Sequence, residues 1–302
     1  MVHGVSVSDN QQDWVRPFQI ESGIARGRLV RLDASYKSIL ADRDYPAPVS
    51  RMLGESLVIA TLLASGLKYD GAFTLQIKSD GAIDLLVADL SSDGALRGYA
   101  RFDKDMLASA LETKGAAVPR LFGGGYLAFT VDQGPDTERY QGITELTGAT
   151  LGDCIHAYFR QSEQIETVVS LNVDPASSVA AGLMIQRMPM GDMDSEDAEE
   201  AWRRAAAFAG SVTPTELIDP ALSATDLLYR LYHEDGVRVY DEKPVRFACR
   251  CSRDKVEGML KSFSQDQLKD MKEDDGRIGV TCEFCGEHYS FGDDDLWAPE
   301  AS

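Results

Sequence analysis

Chemistry in this chain points first to sulfur. Four of its five cysteines fall near the C-terminus, as Cys249-Arg250-Cys251 and Cys282-Glu283-Phe284-Cys285, with thirty residues between the pairs. Each pair supplies two thiolates to one edge of a tetrahedron, the coordination that zinc takes in structural sites. One Zn2+ per chain on Cys249, Cys251, Cys282 and Cys285 is the expected metal centre. Four sulfur ligands close the shell, so no position remains for a water or a substrate, which disfavours hydrolytic chemistry. Cys285 and His288 also have a ligand spacing, but four thiolates already fill the site. Arg246, Arg250, Arg253 and Lys255 flank the first pair, where they either offset tetrathiolate charge or form a solvated basic face. A thioredoxin-type redox pair is the alternative for Cys282 and Cys285. It needs C-x-x-C at a helix start, whereas Gly286 and Tyr289 to Phe291 predict a hairpin here. Cys154 stands alone on an apolar-patterned helix with no base beside it, and is expected to be a buried structural thiol.

Other chemistry is missing. No G-x-x-x-x-G-K-[ST], G-x-S-x-G or H-E-x-x-H motif occurs, and Gly123-Gly124-Gly125 precedes a strand rather than opening a helix. No catalytic residue is assigned, and the chain is not expected to be an enzyme. Among its 302 residues, 30 Lys+Arg against 49 Asp+Glu give −19, which argues against nucleic acid or an anionic membrane as partner. The apolar stretch Leu57 to Leu67 is about half a membrane span. The polar N-terminus shows no secretory signal, so a cytoplasmic location is expected.

The elements that must position the cysteines read as an α+β fold. Pro48 opens a helix with Val49, Met52, Leu53, Leu57, Ala60 and Leu63 on one face. Strands follow at 72–78, 83–89 and 96–101, separated by Ser79-Asp80-Gly81 and Ser92-Asp93-Gly94, links short enough to require an antiparallel meander. Further strands are predicted at 126–131, 167–173 and 179–186, and a helix at 151–164. After Met188-Pro189-Met190-Gly191 the texture changes: residues 192–240 carry 4 basic and 11 acidic residues. A helix over 195–209, with Ser195 as N-cap, puts Ala198, Ala201, Trp202, Ala205, Phe208 and Ala209 on one side; Trp202 and Phe208 are its docking residues. Its alanine-rich face predicts weak docking, and a second helix at 223–233 brings Leu227, Leu228 and Leu231. Three regions result: a mainly antiparallel sheet domain with packed helices (1–190), an acidic helical linker (191–240) and a small zinc-binding domain (241–302). In the last, Val256, Leu260 and Phe263, then Leu268 and Met271, form the apolar side of a helical insert.

Together these residues resemble the redox-regulated 33 kDa heat-shock chaperone family along nearly the whole chain. The resemblance is carried by Arg51-Met52-Leu53 with Ala60 to Lys68, Leu75-Gln76-Ile77 through Asp80-Gly81, and Gly98-Tyr99-Ala100. It continues through Tyr140 to Ile143, Tyr158-Phe159 with Ser162 to Gln164, and the tail Phe247 to Ser252, Cys282 to Cys285 and Tyr289 to Phe291. Ala180-Ala181-Gly182 stands where the family has a more glycine-rich turn. The resemblance implies a cytosolic, ATP-independent holdase that is inactive when reduced and zinc-bound. Peroxide or hypochlorous acid, with heat, would oxidise the cysteines and expel the zinc. Four cysteines allow three pairings; the resemblance favours Cys249–Cys251 and Cys282–Cys285. It also implies unfolding proteins as clients, foldase chaperones downstream and a homodimer as the active species. A thiol-disulfide oxidoreductase, a zinc-ribbon nucleic-acid module and a constitutive zinc-containing scaffold are the competing classes.

Overall fold

Extended runs, some alternating and some apolar on both faces as in Val179–Arg187, build the sheet that organises most of this molecule. The computed structural model describes residues 13–41, 43–133, 139–189 and 195–296. The chain opens with β1 (Asp13–Ile20), β2 (Ala25–Leu32), α1 (Ala34–Leu40) and α2 (Ala47–Ala64). The meander β3 (Ala72–Ser79), β4 (Leu85–Ser91) and β5 (Ala95–Arg101) follows, then α3 (Lys104–Glu112) and α4 (Ala117–Phe122). Next come β6 (Gly125–Asp132), β7 (Tyr140–Glu145), α5 (Leu151–Tyr158), β8 (Thr167–Asp174) and β9 (Val179–Arg187). The segment beyond holds α6 (Ser195–Ser211), α7 (Pro214–Ile218), α8 (Ala224–Tyr232), β10 (Val237–Val239) and β11 (Lys243–Phe247). The chain divides into two compact units, one ending at Phe247 and the other beginning at Ala248.

The first unit is organised on an 11-stranded sheet in the order β7-β6-β3-β4-β5-β11-β1-β2-β9-β8, with β10 also on β1. The meander forms as its turns require: β4 is antiparallel to β3 and β5, and Gly94 takes the φ of +83° that an Asp-Gly turn needs. The ladder is antiparallel except where β11 meets β5 in parallel. Helix α2 is apolar nearly all round because it lies inside: Leu53, Leu57, Val58 and Ala60 are wholly buried in the main core. Its length and apolarity fit a membrane span, yet these contacts are those of a core helix.

Several boundaries differ from the sequence reading. The expected helix at 151–164 stops at Tyr158 and continues as one π-helical turn to Glu163, ending at Gln164 with φ +54°. Ala180-Ala181-Gly182 is no turn but lies inside β9, where Gly182 admits Val58 and Leu171 against the backbone. Residues 241–247, expected in the zinc-binding domain, belong to the large unit, because β11 joins β1 to β5 within its sheet. The linker likewise is no separate region: α6–α8 pack on the sheet face opposite α2. Ala198, Ala205 and Ala209 let α6 approach closely, and Trp202, Leu227, Leu228 and Tyr232 fill the second core with Phe18, Ile20, Leu29, Leu183 and Ile185. Docking is therefore more extensive than an alanine face implies. The side chain of Ser195 and residues Met190 and Gly191 lie outside the described residues.

Glu55 is a polar exception on α2. Burial, partly opposed by Arg51, raises its carboxyl pKa from 4.5 to about 7. A raised acid pKa means the folded state binds the proton more tightly, so stability falls as pH rises from about 4.5 to 7 and is flat above. Glu55→Gln is expected to stabilise the protein above pH 7 by about 2–3 kcal/mol and to flatten that dependence. Denaturant melts at pH 5 and pH 8 check it; equal destabilisation at both pH values would contradict it.

Candidate metal centre

The second unit forms around very little apolar matter. Helices α9 (Arg253–Leu260) and α10 (Gln265–Asp270), the hairpin β12 (Ile278–Thr281) and β13 (His288–Phe291), and α11 (Asp293–Leu296) enclose a small core. Among the described residues Leu260, Leu268, Ile278, Phe291 and Leu296 are its buried apolar residues, with Val256, Val280 and Tyr289 against them. Phe263 and Met271, expected on the inner face, are exposed, because α9 ends at Leu260 and the chain turns before α10. Ser252 and Ser264 cap the two helices, each accepting from a backbone N–H three residues on.

Local structure presents the sulfurs. Cys249 and Cys251 precede α9, whose cap at Ser252 fixes the direction of that strand of chain. Cys282 and Cys285 occupy the hairpin turn, where the Cys282 N–H donates to the Glu287 carbonyl and the Gly286 N–H to the Cys282 carbonyl. Gly286 closes the turn with φ +74°, a conformation that favours glycine. The four Sγ atoms lie within 4.8 Å of one another and form a group able to hold a metal ion. Cys249 Sγ is 3.7 Å from Cys282 Sγ, and Cys251 Sγ 3.3 Å from Cys285 Sγ. Sulfurs at the corners of a tetrahedron with ~2.3 Å metal–sulfur bonds stand about 3.8 Å apart, so the residues fit the ion. None of the four is in a disulfide, and all are half-buried.

Burial pushes the Cys251 and Cys285 thiols up. At Cys249 burial is outweighed by donation from the Cys251 N–H and the neighbouring thiols, which pulls it down to about 7. The Tyr289 hydroxyl donates to Cys251 Sγ at 3.2 Å. Sequence reasoning placed Tyr289 in the hairpin without giving it this role; its period-two offset from the turn was the available signal. His288 stands outside the sulfur group, with Nδ1 3.0 Å from Thr281 Oγ1. Of the flanking cations, Arg253 pairs with Asp295 at 3.0 Å and stacks on Phe291, Lys255 donates to the Arg250 carbonyl beside the first pair, and Arg246 bonds Asp93 in the first unit.

Cys154 is fully buried in the first unit's main core, and burial raises its pKa. Cys154→Ser is expected to leave metal content unchanged while destabilising that core by roughly 1–3 kcal/mol. Metal analysis beside a denaturant melt checks both parts. Loss of metal would remove the four-cysteine assignment.

A large α+β unit is followed along the chain by a small unit whose four cysteines could hold a metal ion. The chain belongs to the Hsp33 family, whose model, described as "Hsp33 protein", matches residues 13–292. It is 43% identical over 286 residues to a 33 kDa chaperonin of Caulobacter vibrioides (strain NA1000 / CB15N), covering 92% of this chain and 94% of the relative. It is 38% identical over 281 residues to the 33 kDa chaperonin of Pseudomonas fluorescens (strain SBW25), covering 92% and 90%. The crystal structure of the 33 kDa chaperonin from Thermotoga maritima shares the fold, with TM-score 0.76 at 21% identity over 94% of this chain and 96% of that one.

Proposed function

We propose that this protein is a redox-controlled, ATP-independent chaperone of the cytoplasm that holds unfolding proteins and is silent while its thiols are reduced. Family membership supports the chaperone reading. The observation that supports the redox control is the meeting of four half-buried cysteines, none in a disulfide, in a unit with only a few buried apolar residues among those described. Zn2+, one per chain on Cys249, Cys251, Cys282 and Cys285, is the proposed cofactor, and when bound it supplies a structural cross-link and no reactive position.

The residues then act as follows. Two peroxide molecules oxidise four thiols to two disulfides and are reduced to four waters. Disulfide sulfurs are no longer thiolate ligands, so the ligand set is lost. A unit with so small a core depends on its metal for stability, and it unfolds. Release of α6–α8 would then bare Phe18, Ile20, Leu29, Leu183 and Ile185 as a surface for clients. The pairing favoured is Cys249–Cys251 with Cys282–Cys285, and the active form is taken as a homodimer that passes clients to foldase chaperones. A reducing cytoplasm suits free thiols. The reading is non-enzymatic, without nucleic-acid or membrane partners.

Peroxide titration tests the redox centre. One equivalent of zinc should be released as four thiols disappear, and peptide mapping should find the two neighbouring pairs. Thiol loss without metal release, or Cys251 joined mainly to Cys282, would contradict it.

A further inference from the structure

A cavity of about 420 Å3 opens in the first unit, far along the sequence from the cysteines. Its volume lies in the range of small-ligand pockets, roughly 300–1,000 Å3. Phe73, Phe129, Val131, Leu63 and Met184 supply buried apolar wall. Set into that wall is Arg28, only 7% exposed. Among the described residues its guanidinium makes one hydrogen bond, to Gln186 Oε1 at a long 3.4 Å, and no ion pair. Among the described residues Glu163 is the one carboxylate lining the cavity; both Tyr140 and Tyr158 hydroxyls donate to its Oε1 at 2.7 Å, and it forms no ion pair with Arg28.

A guanidinium has five donors and no acceptor, and burying it without a counter-charge is costly. The chain nevertheless holds it in place. Gly66, just past the C-terminus of α2, lets the guanidinium approach so closely that a Cβ there would collide with it. The negative end of the α2 dipole compensates part of its charge. Burial, aided by Arg26, still lowers its pKa to about 10. Arg26 and Lys68, both exposed, stand at the rim and add positive potential. An apolar wall, one desolvated cation and a cationic rim together describe a receptor for a molecule with an anionic head and an apolar body.

We propose that this cavity binds a monoanionic amphiphile, a carboxylate on a single medium-length apolar chain, with its head on Arg28. A planar carboxylate matches the fork of a guanidinium in two parallel hydrogen bonds, and a single buried positive charge matches a single negative one. The chain lies against Phe73, Phe129, Val131 and Met184. The site shares no residue with the metal centre or with the docking residues of α6, so it stands or falls independently of the proposed chaperone cycle.

Calorimetric titration of the full-length, reduced, zinc-loaded protein tests it, using decanoate below its micelle concentration at pH 7.5. One saturable equivalent is expected. Decanol, which has the same chain without the charge, should bind about tenfold or more weaker, because hydrogen bonds to a charged partner are the strong ones. Arg28→Met should lose binding by a similar factor while remaining folded, since replacing an unpaired buried charge with an apolar side chain is commonly neutral or stabilising. Lys68→Glu, at an exposed position, should weaken binding several-fold and more so at low salt. Decanol as tight as decanoate, Arg28→Met unchanged, or many weak unsaturable equivalents would each overturn the proposal, the last showing adsorption to apolar surface only.

Discussion

Replacing Trp202 with aspartate and Phe208 with serine is expected to make the reduced, zinc-loaded protein suppress client aggregation with no oxidant present. Trp202 is 5% exposed and sits in the second core, while Phe208 is half-buried with its ring edge-on to Tyr232 at 6.3 Å. Truncating a buried tryptophan costs about 3–5 kcal/mol, and a buried carboxylate adds to that. Against this, α6–α8 keep the Ser170 hydroxyl on the Ala209 carbonyl, the Asn172 amide on the Pro214 carbonyl and Arg31 on the Asp219 carbonyl. These bonds contribute about 1 kcal/mol each, and Leu217, Leu227, Leu228 and Tyr232 still hold the segment to the second core, so the double replacement weakens docking and raises the share of molecules in which the segment has left the sheet. β9 and β10 anchor both its ends, so it opens as a tethered loop. Oxidation should then add little activity. Protease-sensitive α6–α8 together with intact zinc and no activity would show that the segment is not a lock.

Loss of the metal is expected to have the largest structural effect. Cys285→Ser, or a strong chelator acting on the reduced protein, should unfold the unit beginning at Ala248 while the unit ending at Phe247 keeps its melting behaviour. Structural zinc contributes on the order of 10–16 kcal/mol in small zinc-binding peptides, whereas Leu260, Leu268, Ile278, Phe291 and Leu296 are the buried apolar residues of this unit among those described. Hydrogen exchange checks it: amides of β12 and β13 should lose protection, and those of β3 and β9 should not. Persistent protection of the hairpin without metal would mean that its core suffices alone.

The meeting of the four cysteines was legible in the sequence because pair spacing is a local property. The C-x-C and C-x-x-C pairs place sulfurs without knowledge of the rest of the fold, and the hairpin signal around Gly286 was equally local. The meander was legible for the same reason, through its Asp-Gly turns. What stayed hidden depends on distant pairing. β11 carries Lys243, Pro244 and Arg246, a poor strand by composition, and is held by β1 on one side and β5 on the other. β1 and β2 interleave arginines with apolar residues, and Asp13 serves α1 from across the sheet by accepting from the N–H groups of Asp33, Ala34 and Ser35. No window of sequence contains both partners. The α6 face misled in another way: its alanines bury little area themselves, but they admit Leu227, Leu228 and Tyr232 from α8, which do.

The central claim is that oxidation of four thiols switches on client binding. Light scattering from a heat-unfolding client, recorded beside zinc release, tests it most directly. Reduced, zinc-loaded protein should leave aggregation unaffected, and peroxide-treated protein should suppress it at near-equimolar ratio in step with the loss of zinc. Equal suppression by both forms, or suppression that does not follow zinc release, would contradict the account.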